Sequence, residues 1–525
     1  MSISNHPLTR WAHGWAGILL AAMALLFLRT AYLIWVCPYD LVPDEAQYWD
    51  WSRRLDWSYY SKGPAVAWLI AASVHLFGIT EWAVRLPAAL ASFAASLLLA
   101  RFAWSASGGN LRAGWFAFLL FNLIPVFQGT AQFMTTDGLY YVCWITAAFA
   151  GWQISKKPTA SAAGFFLLGA LIGLGMLCKY TMLLALPGIL IYLFRHGVYS
   201  RTQRGAALLA VLAGVVLFSL PITIWNAQRD WPTLAHLIGA TRLPGGDAPA
   251  HTGWPYNPLW TLSYLIYPFA ILAPPASFLL FQALREAFKP QHRQTEFRNI
   301  SSYSLHTAIP VLVFYLLISS RTDVKLNWPA AGFTIFLVPL ACFLATQPRP
   351  DALTRKLWHW TAGIGLVSLF FIALGKYPIA AVNGLQLPGY TIDTRPILKR
   401  ITGFKEIAAS VERAAGELAR DTGKEPFYIA STYGQAALLA FYGKGHPRVC
   451  SADSYMGGRE SSYDYFPDTD LGNPQLLGRP AILLGNERWV WEKALYFQLI
   501  ERSRFYGRVF FAYEYRGPWR EPHTK

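Results

Sequence analysis

Two adjacent carboxylates, Asp44 and Glu45, precede a single lysine, Lys62, in the stretch LVPDEAQYWDWSRRLDWSYYSKGP at residues 41–64. An acid and a cation held in one loop can move a proton, steady a developing positive charge and neutralise a departing anion. Pro43 can open a helix because its missing N–H would be an orphan donor there. Asp44 and Glu45 then fall in the first turn, where the helix dipole favours an ionised carboxylate. Tyr48 lies one turn further along the same face. The structural alternative is that a first-turn acid only stabilises the helix start.

The elements that position these residues follow from the apolar runs. The 525 residues are 54% hydrophobic and only 14% charged, which excludes an ordinary soluble protein. The sequence predicts spans near 15–36, 82–104, 113–128, 138–154, 161–177, 180–195, 205–225, 258–283, 305–319, 329–346 and 358–375. No small-residue cleavage site follows the first run, so it is expected to stay as an anchor. The net charge of +16 sits largely in loops between spans, as positive-inside topology and anionic lipid require, and does not imply nucleic acid. The five cysteines show no paired spacing, so neither a disulfide framework nor a thiol metal site is expected.

Residues 64–78 are apolar but too short for a usual crossing. If they do not span, basic loops such as 101–112, 195–204 and 285–298 share the cytoplasmic side. Asp44, Glu45, Lys62, Arg85, Asp137, Lys179, Asp323 and Lys325 then gather on the external face, with everything after residue 375. Charges collected at headgroup level suit a substrate held there, although each alone also fits an ordinary loop charge.

Beyond residue 375 the pattern changes. An amphipathic helix at 403–423, a strand at 426–431, a helix at 433–443 and a strand at 480–485 predict a small soluble α/β domain. The expected architecture is a polytopic α-helical membrane protein of about 11–13 membrane helices. It comprises a membrane domain at 1–375, with a first external loop at 37–84, and a C-terminal domain at 376–525.

No P-loop, G-x-S-x-G, H-E-x-x-H or dinucleotide fingerprint is present. A membrane enzyme without a nucleotide-phosphate loop needs another activated donor, and a lipid-linked one is the natural candidate. The ordered segments PDEAQYWDWS, YYSKGPAVAWLI, EWAVRLPAAL, MTTDGLYYVCW, LCKYTMLLALPGILIYL, ITIWNAQRDWPTLAHL and DVKLNWPA carry a resemblance. Over residues 40–335 the chain resembles the bacterial GT-C-type polyprenyl-phosphate-sugar glycosyltransferases, a group similar to protein O-mannosyltransferases and lipid A aminoarabinose transferases.

That resemblance implies a GT-C-like fold, a polyprenyl-phosphate-linked sugar donor and an acceptor such as lipid A, lipopolysaccharide core, another envelope glycan or protein. It implies a bacterial inner membrane with the site and C-terminal domain in the periplasm. By matching position, Asp44 is the expected catalytic acid/base and Asp137 a cavity-facing acid, which also fits a helix cap. Glu45 would position the acceptor or partner the dipole. Lys62, Arg85, Lys179 and Lys325 would hold the donor phosphate, although Arg85 equally suits a snorkelling anchor. Tyr48, Tyr60 and Asn327 would contact substrate. Gly63 stands where the family's K-P-P-like motif has a proline, and Ser61 where the aminoarabinose transferases have an acid. A divalent metal on His236 and His251 is a weaker expectation, because separated histidines also serve as interfacial side chains. A lipid-linked-sugar transporter, or a non-catalytic envelope assembly protein, would also show many spans. The first would require charges near the midplane, and the second would not require Asp44 or Lys62.

Overall fold

Apolar runs become helices because hydrocarbon offers backbone N–H and C=O groups no other partner. The computed structural model describes residues 7–157, 161–243, 245–247, 256–347, 350–387, 390–485, 495–501 and 509–518. Four elements lead into the site: α1 Pro7–Trp35, α2 Pro43–Ser52, α3 Ala65–Phe77 and α4 Glu81–Ala106. Among the described residues, five helices are long and apolar enough to cross a membrane: Gly14–Trp35, Glu81–Ala106, Arg201–Ala227, Glu296–Ser319 and Ala352–Leu374. α3 has 13 residues. At 1.5 Å per residue it reaches about 20 Å, short of a hydrocarbon core of about 30 Å.

Two runs expected to be single spans are broken. Leu111–Leu123 and Pro125–Gln132 meet at 69°, and Pro258–Leu272 and Pro274–Ala287 meet at 93°. Proline causes the first break: Ile124, before Pro125, is extended, and a residue preceding proline disfavours the helical region. At the second, Ala273 adopts a left-handed φ of 67° before Pro274 opens the next helix. Counting each bent pair as one span raises the number to seven. Any larger number depends on shorter or less apolar helices, among them Ala162–Met176, Tyr180–His196 and Ala330–Thr346.

Glycines allow two of these helices to touch. A Cβ on Gly169 would stand 2.1 Å from the Val211 carbonyl oxygen, and one on Gly173 would stand 2.7 Å from that of Val215. Small residues four apart let Ala162–Met176 lie against Arg201–Ala227 backbone to backbone. Gly169→Leu is therefore expected to cost at least about 1–3 kcal/mol and to lower the thermal midpoint in detergent. An unchanged midpoint would mean that the helices do not meet at Gly169.

Among the described residues, the C-terminal sheet has five strands in spatial order Val449–Ser451, Phe427–Ala430, Ala481–Leu484, Val509–Pro518, Leu495–Glu501. The first three are parallel and the last two antiparallel. Helix Phe404–Thr422 starts and ends at left-handed glycines, Gly403 and Gly423. The domain is not tethered loosely. One continuous core joins Trp49, Tyr59 and Ile70 of the first loop and α3 to Val411, Leu439, Phe441 and Tyr463. Helix Tyr433–Tyr442 packs directly on α2. Polar pairs close the seam: Tyr463 donates to Asp50 at 2.8 Å, Arg53 donates to the His446 carbonyl at 2.7 Å, and Arg54 meets Asp468 at 2.8 Å.

Candidate active site

Pro43 is the first residue of α2, and Glu45, two residues on, turns back so that one carboxylate oxygen accepts the Val42 N–H at 3.0 Å. Its other oxygen accepts the Met134 N–H at 2.7 Å. Arg85, in the first turns of α4, grips both oxygens at 2.9 and 2.7 Å and donates to the carbonyls of Tyr39 and Asp40. Glu45 is fully buried and Arg85 is 1% exposed. This corrects two sequence expectations. Arg85 has no free face for a donor phosphate and Glu45 none for an acceptor, because each already satisfies the other in a desolvated clamp that fixes α2 on α4.

Asp44 turns away from this clamp, onto a cavity of about 370 Å³. Its floor is Asp44, Gln47 and Tyr48 of α2 with residues 60–62 of the same loop, and His236 lines one wall. The roof comes from the C-terminal domain: Tyr433, Asp453 and residues 459–461. Among the described residues, neither the Asp44 carboxylate nor the Lys62 ammonium has a hydrogen-bond or ion-pair partner. Burial raises the Asp44 pKa; Lys62 opposes this, while Glu45 and Asp137 add to it. The dipole argument alone pointed the other way, and desolvation outweighs it. Burial lowers the Lys62 pKa, with Lys179 adding to the effect and Asp137 and Asp44 opposing it.

Asp137 opens helix Thr136–Ser155 behind its capping residue Thr135. Its carboxylate accepts Lys179 at 2.8 Å on one oxygen and Asn327 at 2.6 Å on the other, so two remote segments converge on it. Asp137 thus pairs with Lys179 and also draws on Lys62, against the repulsion that Lys179 exerts on Lys62. Gly63 makes this neighbourhood possible, since a Cβ there would stand 2.2 Å from the Leu177 carbonyl oxygen. That oxygen accepts the Ala65 N–H at 3.1 Å. The departure from the family's proline therefore has a physical cause: only glycine lets the Lys62 turn lie against the segment carrying Lys179.

The remaining expected site residues divide. Tyr48 is buried at the cavity floor. Tyr60 donates to Asp247 and stacks on Tyr465, with ring centroids 5.7 Å apart. Lys325 is not brought to the cavity; it is exposed and paired with Asp323 at 2.6 Å. His251 lies outside the described residues. His236 approaches Asp247 at 2.9 Å, but Arg459 occupies the other Asp247 oxygen at 2.7 Å. A guanidinium on that carboxylate does not suit a divalent cation. Among the described residues, no group of three His, Cys, Asp or Glu is placed to hold a metal.

Asp247, Tyr433, Asp453 and Arg459 escaped sequence reasoning because they lie some two to four hundred positions from Asp44. The one available signal was the polar, glycine-containing run at 451–462, which follows a buried strand in the manner of a binding loop.

Residues 61–225 match the family described as dolichyl-phosphate-mannose-protein mannosyltransferase. The lipid A galacturonosyltransferase RgtD of Rhizobium johnstonii is 27% identical over 388 residues, 74% of this chain and 74% of that protein. The undecaprenyl phosphate-alpha-4-amino-4-deoxy-L-arabinose arabinosyl transferase of Aeromonas salmonicida is 28% identical over 405 residues, 72% of this chain and 68% of that protein. The fold is shared with ArnT from Cupriavidus metallidurans in the apo state, at a TM-score of 0.58 and 16% identity over 95% of this chain and 98% of that one. The same protein bound to undecaprenyl phosphate gives a TM-score of 0.56 at 17% identity, with the same coverage. These likenesses support a GT-C-type polyprenyl-phosphate-sugar glycosyltransferase, and the chain is a membrane glycosyltransferase with several apolar spans.

Proposed function

We propose that this enzyme moves one sugar from an undecaprenyl-phosphate carrier to lipid A at the periplasmic face of the bacterial inner membrane. The observation that carries the reading is the pair of unpartnered opposite charges, Asp44 and Lys62, lining one cavity between the membrane domain and the C-terminal domain. The names of the relatives support the carrier and the acceptor, and the basic loops support the orientation.

The acceptor oxygen attacks the anomeric carbon as its bond to the phosphate oxygen breaks, and that electron pair leaves with the polyprenyl phosphate. Asp44 steadies the positive charge that builds on the sugar and, for a hydroxyl acceptor, takes the proton. Lys62 neutralises the charge that grows on the departing phosphate, where low dielectric makes a fixed cation most effective. Asp137, oriented by Lys179 and Asn327, keeps the two lysines close without their repulsion dominating. A transporter is less well supported, because these charges gather at one end of the bundle and not at its middle.

Mass spectrometry of envelope lipids provides the test, with cells carrying the intact protein, none, or Lys62→Met at matched expression. The expected result is one sugar-sized mass present on lipid A only with the intact protein, with transfer by Lys62→Met down about 10²–10³-fold. Identical lipid A in all three strains would sink the reading.

A further inference from the structure

The cavity roof contains a second unsatisfied acid. Asp453 follows the parallel strand Val449–Ser451, and Tyr433 follows its parallel neighbour Phe427–Ala430. Both therefore project from the carboxyl ends of parallel strands, where open α/β sheets present their ligand crevices. In this protein that crevice is closed from below by α2 and the Lys62 turn.

The other roof charges are already engaged. Arg459 is held by Asp247 at 2.7 Å, and Glu460 accepts the Tyr465 hydroxyl at 2.7 Å. Asp453 makes no side-chain capping bond to the turn it begins. Among the described residues, its carboxylate has no donor. Burial, with Asp464 adding to it, pushes its pKa up to about 6, so it is mostly ionised at neutral pH. Tyr433 stands where both Asp44 and Asp453 act on it, so the two acids flank one space.

A donor enters this space with its isoprenoid chain in the membrane and its phosphate at Lys62, so the far edge of the sugar is directed at the roof. Resting on the function proposed above, we propose that Asp453 is a specificity-determining residue that receives the edge of the transferred sugar remote from the anomeric carbon. It favours hydroxyl or ammonium substituents there and disfavours a carboxylate, because a buried acceptor-only group rewards donors and repels like charge.

The test uses the full-length protein in nanodiscs, with lipid A as acceptor and two synthetic donors, undecaprenyl-phosphate-linked aminoarabinose and undecaprenyl-phosphate-linked galacturonate. Asp453→Asn is expected to shift the ratio of kcat/KM values towards the galacturonate donor by about tenfold or more, the scale of one charged hydrogen bond. Asp453→Ser, a second variant less dependent on local shape, should shift it the same way. A ratio unchanged within about twofold in both variants, while Asp44→Asn is inactive, would overturn the assignment of Asp453 and leave the transferase reading standing. An intact protein that uses neither donor would overturn this inference, while the proposed function would still be decided by the lipid A masses of the three strains.

Discussion

Asp44→Asn is expected to lower kcat by about 10²–10⁴-fold, the usual contribution of a positioned acid/base, with the fold intact. The replacement is isosteric, and among the described residues the carboxylate has no hydrogen-bond partner to lose. Burial raises the Asp44 pKa and lowers that of Lys62. The rising limb of the kcat/KM profile should therefore lie at higher pH than an ordinary aspartate gives, and the falling limb at lower pH than an ordinary lysine gives. Asp44→Asn should remove the rising limb. Stability should move the other way. A carboxyl whose pKa is raised in the folded state stabilises fully only below its unfolded pKa, and that contribution is lost as pH rises through the folded value. At neutral pH the asparagine variant should thus melt no lower than the parent. An active Asp44→Asn protein, or an inactive one that melts much lower, would remove Asp44 from the chemistry.

Arg85→Met should behave in the opposite manner. It leaves the fully buried Glu45 carboxylate without its cation, and breaking such a pair costs about 3–5 kcal/mol. The loss should appear as a lower thermal midpoint in detergent and poor yield, because the clamp joins α2 to α4 and to the Met134 backbone. Combining it with Glu45→Gln should cost less than the two single changes added together, since no charge is then left unpaired. If Arg85 instead held the donor phosphate, Arg85→Met would keep its midpoint and lose kcat/KM. These two readouts separate the residue that builds the site from the residues that work in it.

The sequence by itself determined what local physics controls. Pro43 set the start of α2, with Asp44 and Glu45 in its first turn. Periodicity and turn residues located helix Phe404–Thr422, strand Phe427–Ala430, helix Tyr433–Tyr442 and strand Ala481–Leu484 to within about two residues of their observed limits. The resemblance pointed to Asp44, Lys62, Asp137, Lys179 and Asn327; in the structure Asp137 accepts from Lys179 and Asn327, and Asp44 and Lys62 line one cavity. Only the tertiary structure decided how neighbouring charges divide. Glu45 and Asp44 are adjacent in one helical turn, yet one is clamped by Arg85 and the other faces the cavity, because a helix sends successive side chains about 100° apart. Only packing placed Asp453 and Arg459 over Asp44, by docking the C-terminal domain on α2 through a shared core. It also made Gly63 necessary, through a carbonyl more than a hundred residues away. Propensity and periodicity act over a few residues, whereas burial, pairing and pKa depend on which distant surfaces meet.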